Sequence, residues 1–350
     1  MTESSLSCFT LSAPKKTLSS TILIETGIIS TPTQRNVSML AYLQLVRLPT
    51  VFTAMADILL GYSLTHRYIV GPDGWDNPQK FFGLLIASCC LYLSGMVFND
   101  VFDRKRDAAE RPGRPIPSGR VSVAAAVTLG VVLMICGLVA AALVTRVSLQ
   151  VAGILVLAIL SYDGLLKQTP LAPVAMGTCR FLNVLLGASD QLFWVPPGLL
   201  VRPQLAAAIG LGIYIVGVTV FARTEARTSS RWQLGFAQLL FNLGIVVLGV
   251  LMISWPVWSW PPRGNGPVAL AMLAVIAFTL NRRALSAMVD PSPQNVQITV
   301  KLLLLSYVML DATIVFWKMT DSGPFGTGHA LVAAALILPA MILARFIPMT

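Results

Sequence analysis

Long uncharged stretches alternate with short charged segments over most of the chain. Four windows contain no Asp, Glu, Lys or Arg, and they are residues 81–99, 121–145, 203–222 and 232–262. Each is about as long as, or longer than, the ~20 residues that a helix needs to cross a bilayer. Backbone groups in lipid must be hydrogen-bonded within the protein, so these stretches predict helices and not strands. We therefore expect an all-α, polytopic membrane bundle of about nine or ten transmembrane helices.

The same pattern separates an N-terminal segment from a single membrane domain. Residues 1–38 are rich in Ser and Thr and lack a sustained helical stripe, which predicts a disordered or overlong N-terminal extension. Residues 39–350 form the predicted transmembrane domain. Its predicted spans are 41–64, 80–101, 121–144, 147–166, 171–190, 203–222, 232–254, 265–281, 296–317 and 328–346.

Composition supports a membrane protein and limits its chemistry. Hydrophobic residues make up 55% of the chain and charged residues 11%, with a mean hydropathy of +0.75. Soluble proteins carry about 25% charged residues. The five cysteines show no CxxC spacing and there are two histidines, which argues against a disulfide framework and against a His-built metal site. A metal bound here is therefore expected to have oxygen ligands.

The net charge of +10 would suggest nucleic acid in a soluble protein, so the location of the cations decides its meaning. If the N-terminus is cytoplasmic, six of the 25 Lys and Arg residues fall on the outer side: Arg67, Lys80, Arg146, Arg202, Arg263 and Lys318. This distribution satisfies the positive-inside rule. We expect a multi-pass protein of the cell inner (plasma) membrane, embedded in the lipid bilayer, with a cytoplasmic N-terminus and no nucleic-acid partner.

The most informative charged segment ends the second predicted span. Its acidic and amide side chains are Asn99, Asp100, Asp103, Asp107 and Glu110. A helix turns ~100° per residue, so all of them fall within an arc of roughly 100° on one face. Carboxylates stacked at a helix C-terminus repel one another unless a cation lies between them, and Mg²⁺ prefers oxygen ligands that it shares with phosphates. The alternative is a solvated segment with scattered charges.

Cations surround this acidic face, and they are Arg104, Lys105, Arg106, Arg111, Arg114 and Arg120. Their side chains could hold the outer oxygens of a phosphate-bearing substrate. Pro112 disfavours helix at Arg111, so the acidic face should occupy the last turns of a helix at the cytoplasmic boundary.

The pattern Asn99-Asp100-x-x-Asp103-x-x-x-Asp107, followed by Glu110-Arg111-Pro112-x-Arg114-Pro115, resembles the first aspartate motif of the UbiA superfamily of intramembrane prenyltransferases. The resemblance covers about residues 40–230, and in detail the chain is similar to the EboC-like branch, which is associated with secondary metabolism. It implies a helical bundle with a central cavity and an enzyme that moves an isoprenyl group from its diphosphate to an unidentified acceptor. It also implies Mg²⁺ as the cofactor.

Carried over by position, the resemblance implies roles for individual residues. Asn99 and Asp103 would bind the metal with support from Asp100 and Asp107, and the three aspartates would be the catalytic acids. The residues implied at or near the diphosphate are Arg47, Arg111, Arg114, Tyr162 and Lys167.

The second acidic motif departs from the family pattern. Where the family usually has Asp-x-x-x-Asp, this chain has Arg223-Thr-Glu225-Ala-Arg227. Glu225 is the one carboxylate left as a metal ligand, while Arg223 and Arg227, four residues apart on one helix face, could neutralise a diphosphate directly. An ordinary positively charged inner loop is the alternative.

Ionisable residues within the spans are costly in lipid and should face the bundle interior. They include Asp57, Asp190 and Asp311, while Arg180 and Asn183 are expected to line the cavity and bind substrate. A purely structural role is equally open for each. At the level of function, a non-catalytic carrier or exporter of a hydrophobic precursor is the alternative to an enzyme. An ion channel fits less well, because the acids gather at one membrane face.

Overall fold

The computed structural model describes residues 33–66, 70–71, 74–75, 77–192, 202–225, 228–254, 264–318 and 324–346. The helices in this part are α1 (Thr33–Leu45), α2 (Val51–Thr65), α3 (Pro78–Glu110), α4 (Val123–Val144), α5 (Arg146–Ser161), α6 (Ala172–Gly187), α7 (Pro203–Ala222), α8 (Arg231–Ser254), α9 (Gly266–Val289), α10 (Pro293–Lys318), α11 (Pro324–Ala335) and α12 (Ile337–Phe346). One short antiparallel pair joins β1 (Val70–Gly71) to β2 (Gly74–Trp75). Residues 1–32, from the predicted N-terminal extension, lie outside the described residues, and α1 begins at Thr33.

The expected all-α membrane architecture is confirmed. Within the described ranges, eight helices are long and apolar enough to cross a membrane. They are α3, α4, α7, α8, α9 and α10, together with α2 and α5 extended by the short turns beside them. Two further apolar helices are shorter, at Ala172–Gly187 and Gly328–Leu343. The expectation from the sequence that nine or ten helices cross the membrane therefore stays a prediction.

The first predicted span, 41–64, is not one continuous helix, which corrects that expectation. α1 ends at Leu45, and Arg47 adopts a left-handed backbone conformation with φ 49°. A short 3-10 turn at Leu48–Thr50 then leads into α2. Pro49 has no backbone N–H, and in a continuous α-helix its ring would clash with the carbonyl four residues earlier, so the chain bends here. The bend directs the Arg47 side chain toward α3, where it meets the acidic motif.

The long helix α3 carries the acidic motif beyond the predicted end of its span. The expected span stopped at residue 101, whereas α3 continues to Glu110 and ends directly before Arg111 and Pro112. The sequence prediction that the acidic face occupies the last turns of this helix is therefore confirmed. Asn99 and Asp103 lie one turn apart, about 6 Å along the helix axis, on the side that faces the bundle interior.

Close backbone packing fixes α2 against α6 at the centre of the bundle. A Cβ on Gly61 would lie 2.2 Å from the carbonyl oxygen of Val184, and one on Gly187 would lie 2.7 Å from that of Ile58. Only glycine permits this approach, as is common where membrane helices pack tightly. α2 also contacts α3 and α10, and α7 packs between α6 and α8. Of these helices, α3, α6, α7 and α10 line the cavity described next.

Candidate functional site

A cavity of about 1200 Å³ lies among α3, α5, α6, α7 and α10. Its mouth is formed by Arg106, Glu110 and Arg111, which are exposed at the end of α3. Arg180 lies on its deep wall, eight residues past the start of α6, or about 12 Å of helix rise. The walls between are largely apolar and include Leu155, Ile159, Met176, Ile215, Val218, Val300 and Leu304.

The cavity brings together most of the residues that the sequence predicted for the site. Those that line it are Arg47, Asn99, Asp103, Asp107, Arg111, Arg114, Tyr162, Lys167, Arg180, Asn183, Arg223 and Glu225. Asp100 is buried beside the cavity and does not line it. Arg227 lies outside the described residues.

Lys167 meets the two side chains that were predicted to bind the metal. Its Nζ donates to Asn99 Oδ1 and to Asp103 Oδ2, and we call these three residues the motif cluster. Lys167 follows a π-helical turn at Tyr162–Leu166 that ends α5, and its backbone N–H donates to the carbonyl of Tyr162 at 2.9 Å. This turn brings the ammonium to the face of α3 that lines the cavity. Asp163 lines the same cavity.

Asp100 and Asp107 are held by arginines from two other segments. Arg47 Nη2 donates to Asp100 Oδ1 at 2.7 Å, and Arg114 Nη1 donates to the same oxygen at 3.3 Å and to Asp107 Oδ2 at 2.7 Å. The two aspartates and Arg114 are each 4–5% exposed. Both carboxylates therefore serve to anchor the bend at Arg47 and the loop after α3. Their assignment as direct metal ligands stays a prediction.

The altered second motif faces α3 across the mouth. Arg223 Nη2 donates to the carbonyl of Thr169 at 3.4 Å, and its side chain is otherwise exposed to the cavity. Burial raises the pKa of Glu225 above its ordinary value, while the positive charges of Arg111 and Lys301 oppose that rise. This side of the mouth thus combines one carboxylate with several cations.

A second group, the floor cluster of Asp57, Arg180, Asn183 and Tyr307, closes the deep end. Arg180 Nη1 donates to Asp57 Oδ2 at 3.1 Å, and Asn183 Nδ2 donates to the same oxygen at 2.8 Å. Tyr307 donates its hydroxyl to Asp57 Oδ1 at 2.7 Å. The prediction that Asp57 faces the interior is therefore confirmed.

Two tyrosine rings also contact the buried arginine of the floor cluster. The Arg180 guanidinium carbon lies 5.3 Å from the ring centroid of Tyr92 and 5.2 Å from that of Tyr307. Sequence reasoning did not single out either tyrosine. Tyr92 precedes Asn99 by seven residues, so it shares the face of α3 that carries the acidic motif, and this spacing was a usable signal. No pattern in the sequence pointed to Tyr307, because its partner Asp57 is 250 positions away.

The other buried aspartates also face the interior, as predicted. Asp190 lies at the end of the bundle away from the acidic motif, where its Oδ2 is 3.2 Å from His66 Nε2 and 3.6 Å from Lys80 Nζ. Asp311 is fully buried on α10, one helical turn after Tyr307. Neither residue lines the cavity.

The donor set of the motif cluster suits a hard cation. Asn99 and Asp103 already direct their oxygens at one positively charged atom, the ammonium nitrogen of Lys167. Across the described ranges, no group of three or more His, Cys, Asp or Glu side chains converges to hold an ion. The motif cluster offers one amide and one carboxylate, and Mg²⁺ commonly combines such a sparse set with phosphate oxygens. The residues fit Mg²⁺ if a phosphate-bearing substrate completes the coordination.

The fold and the site together define a helical membrane protein with a charged cavity beside an Asn/Asp motif. Residues 58–295 match the model of the UbiA prenyltransferase family, which is more than half of the chain, so the chain belongs to this family. The superfamily expected from the first acidic motif is confirmed. The EboC-like branch stays a prediction.

Two relatives illustrate how far the sequence similarity extends. The digeranylgeranylglyceryl phosphate synthase of Sulfurisphaera tokodaii is 30% identical over 131 residues, which is 37% of this chain and 45% of that protein. The synthase of the same name from Methanothrix thermoacetophila is 40% identical over 91 residues, 25% of this chain and 34% of that protein. The matched regions therefore span less than half the length of these relatives.

Solved structures share the fold over a larger part of the chain. A structure of digeranylgeranylglyceryl phosphate synthase aligns with a TM-score of 0.60 at 19% identity, covering 81% of this chain and 99% of the other. A UbiA homologue from Archaeoglobus fulgidus bound to DMAPP and Mg²⁺ aligns with a TM-score of 0.59 at 13% identity, covering 84% and 99%. At these identities the likeness establishes the fold.

Proposed function

We propose that this protein is a Mg²⁺-dependent prenyltransferase that moves an isoprenyl group from its diphosphate to an acceptor not yet identified. The observation that carries the proposal is the motif cluster: one amide and one carboxylate oxygen converge on a single cation at the charged end of a membrane cavity. Relatives named as synthases of a prenylated lipid and a homologue bound to DMAPP and Mg²⁺ support the same chemistry.

The cations at the mouth suit the diphosphate. Arg47, Arg111, Lys167 and Arg223 all line the cavity and can donate charge-assisted hydrogen bonds to phosphate oxygens. Mg²⁺ bound at Asn99 and Asp103 would add neutralisation of the charge that develops on the leaving oxygen. Because Arg223 stands where the family usually has a carboxylate, we assign it to the diphosphate in place of a second ion.

The apolar walls suit the isoprenyl tail. Side chains from α5, α6, α7 and α10 line the cavity between the mouth and Arg180, and they include Leu155, Met176, Ile215 and Leu304. They would hold the tail and exclude water, which would otherwise quench the electrophilic allylic carbon after the diphosphate departs. The acceptor then supplies the nucleophile, and no described residue identifies it.

Orientation follows from the charge distribution. We place the acidic motif and the N-terminus at the cytoplasmic face of the plasma membrane, because most Lys and Arg residues would then lie inside. A water-soluble diphosphate would reach the mouth of the cavity directly from the cytoplasm.

A carrier or exporter of a hydrophobic precursor is the second candidate. The observation that favours it is the loss of both aspartates from the second motif. The motif cluster opposes it, since a carrier of a neutral lipid has no use for converging oxygen ligands. The two candidates therefore differ in whether a prenyl diphosphate is consumed.

Labelled substrates separate the two candidates. Membranes containing the protein would receive radiolabelled geranyl, farnesyl or geranylgeranyl diphosphate with Mg²⁺ and a lipid extract of the source cells, followed by extraction of lipid-soluble product. We expect labelled product from wild type and none above background from Asp103→Ala. No labelled product above background from either protein, together with diphosphate-independent retention of lipid, would favour the carrier.

A further inference from the structure

The ammonium of Lys167 lies where the two predicted metal ligands converge. Its Nζ contacts Asn99 Oδ1 and Asp103 Oδ2 at the same time, although the lysine is 64 positions or more from both along the chain. The side chain of Lys167 is 21% exposed and that of Asp103 is 15% exposed, so water reaches both. One cationic side chain thus occupies the point to which the amide and the carboxylate are directed.

We propose that Lys167 is a built-in counter-cation that holds the metal-binding residues in the substrate-free protein and yields its place when Mg²⁺ and diphosphate arrive together. This inference rests on the proposed function, because it takes Asn99 and Asp103 to be the metal ligands. It assigns Lys167 two positions, one on the motif cluster and one on the diphosphate.

The small number of protein ligands makes the arrival of ion and diphosphate interdependent. In the described part of the chain, no three His, Cys, Asp or Glu side chains come together to hold an ion, and the motif cluster itself supplies one amide and one carboxylate. Free Mg²⁺ would have to displace an ammonium and shed tightly held waters in return for two protein oxygens. When diphosphate is present it supplies further oxygen ligands to the ion and a new partner for the ammonium. Diphosphate thus compensates in one step for the water that Mg²⁺ loses and for the contacts that the ammonium gives up.

The local structure allows the exchange without a rearrangement of the helices. Lys167 follows the π-helical turn at Tyr162–Leu166 and precedes α6, so its backbone is fixed at one end by the bond to Tyr162. Its four-carbon side chain can move the ammonium by several ångströms through rotamer changes alone. The cavity that Lys167 lines provides the space for this movement.

Binding of Mn²⁺, a spectroscopic substitute for Mg²⁺, tests the proposal without a turnover assay. Detergent-purified full-length protein would be titrated with Mn²⁺ with and without inorganic pyrophosphate. Equilibrium dialysis would separate protein-bound Mn²⁺ from free Mn²⁺ and from the soluble Mn²⁺–pyrophosphate complex before Mn²⁺ is measured by electron paramagnetic resonance. We expect Lys167→Met to bind Mn²⁺ alone at least about tenfold more tightly than wild type. With pyrophosphate present the order should reverse, because the variant lacks a charge-assisted contact to it.

Three control variants separate the counter-cation role from general effects of charge or folding. Lys105 was expected from the sequence to lie near the phosphate, but it is exposed and does not line the cavity. Lys105→Met therefore removes the same charge from outside the cavity, and it should behave as wild type. Lys167→Arg keeps the charge and should keep the weak binding of free Mn²⁺. Adding Asp103→Ala to Lys167→Met should abolish the gained affinity, and circular dichroism would verify that each variant is folded.

The outcomes distinguish failure of this inference from failure of the proposed function. If wild type binds Mn²⁺ with pyrophosphate but Lys167→Met gains no affinity for free Mn²⁺, the counter-cation role is wrong and the metal site stands. If wild type binds no Mn²⁺ even with pyrophosphate, both the metal site and the role of Lys167 are wrong.

Discussion

The motif cluster and the floor cluster both place a carboxylate beside a cation on the wall of one cavity, but they differ in how firmly the charges are held. In the floor cluster, Asp57 is fully buried and accepts hydrogen bonds from Arg180, Asn183 and Tyr307. In the motif cluster, Asp103 is partly exposed and its cationic partner is one flexible lysine. Both carboxylate oxygens of Asp57 thus have protein hydrogen-bond donors, whereas Asp103 can exchange its lysine partner for a ligand.

This difference separates a structural ion pair from a binding site within one cavity. A buried charge whose partners are all protein groups stabilises the fold only while every partner is present. A partly solvated charge with one mobile partner contributes less to stability and can accept a ligand instead. The comparison therefore predicts that changes at the floor cost stability, while changes at the mouth cost binding.

Removing the carboxylate of the floor cluster should have the largest effect on stability. Asp57→Ala leaves the guanidinium of Arg180 in the membrane interior without its counter-charge, and we expect a loss of about 3–5 kcal/mol in the free energy of unfolding. The measurement is unfolding of the purified protein in mixed micelles by titration with sodium dodecyl sulfate.

A double variant sharpens this prediction. Asp57→Ala combined with Arg180→Met removes both charges, and it should recover most of the lost stability because a buried ion pair can often be replaced by apolar side chains. An Asp57→Ala protein as stable as wild type would mean that the floor cluster is not a structural pair.

The same contrast explains how much could be read from the sequence. Local features were accessible: the shared face of Asn99 and Asp103 follows from helical periodicity, and the end of α3 follows from Pro112. Contacts across the bundle could not be predicted, because residues such as Arg180 and its partner Asp57 are 123 positions apart. A single sequence holds no signal that pairs such distant residues.

The break after α1 shows why one local prediction failed. Hydropathy continues through residues 41–64, so the pattern predicted one helix. Arg47 has a left-handed backbone just before Leu48-Pro49, and its side chain forms a 2.7 Å ion pair with Asp100, which is 53 positions away on α3. A proline that hydropathy does not register and a tertiary contact that no local pattern reveals thus coincide where the prediction of one helix failed.

Arg223 should affect binding more than stability, with an effect smaller than that of Asp57. Hydrogen bonds to charged groups contribute about 1.5–3 kcal/mol, and the exposure of this side chain favours the lower value. We therefore expect Arg223→Ala to weaken binding of pyrophosphate with Mg²⁺ about tenfold by isothermal titration. Unfolding should be nearly unchanged, since the hydrogen bond from Arg223 to Thr169 is long, at 3.4 Å.

A matched arginine controls for the loss of positive charge. Arg104 is also exposed and also donates to a backbone carbonyl, that of Val101 at 3.0 Å. The sequence placed it among the cations near the phosphate, but it does not line the cavity. Arg104→Ala should bind pyrophosphate as wild type does. If both variants bind equally well, the second motif is an ordinary positively charged loop and Arg223 has no role at the diphosphate.

The smallest effect is expected at the rim of the mouth, where Glu110 accepts from Arg106 Nε at 3.0 Å. Both side chains are more than half exposed, and pairs of this kind on a helix surface contribute about 0.3–0.5 kcal/mol. Glu110→Gln should therefore change the free energy of unfolding by no more than about 0.5 kcal/mol. Binding of pyrophosphate should stay equal or tighten slightly, because a negative charge beside the mouth is removed. A loss of stability close to that of Asp57→Ala would contradict the division between mouth and floor, since it would show that even a solvated rim charge is needed for folding.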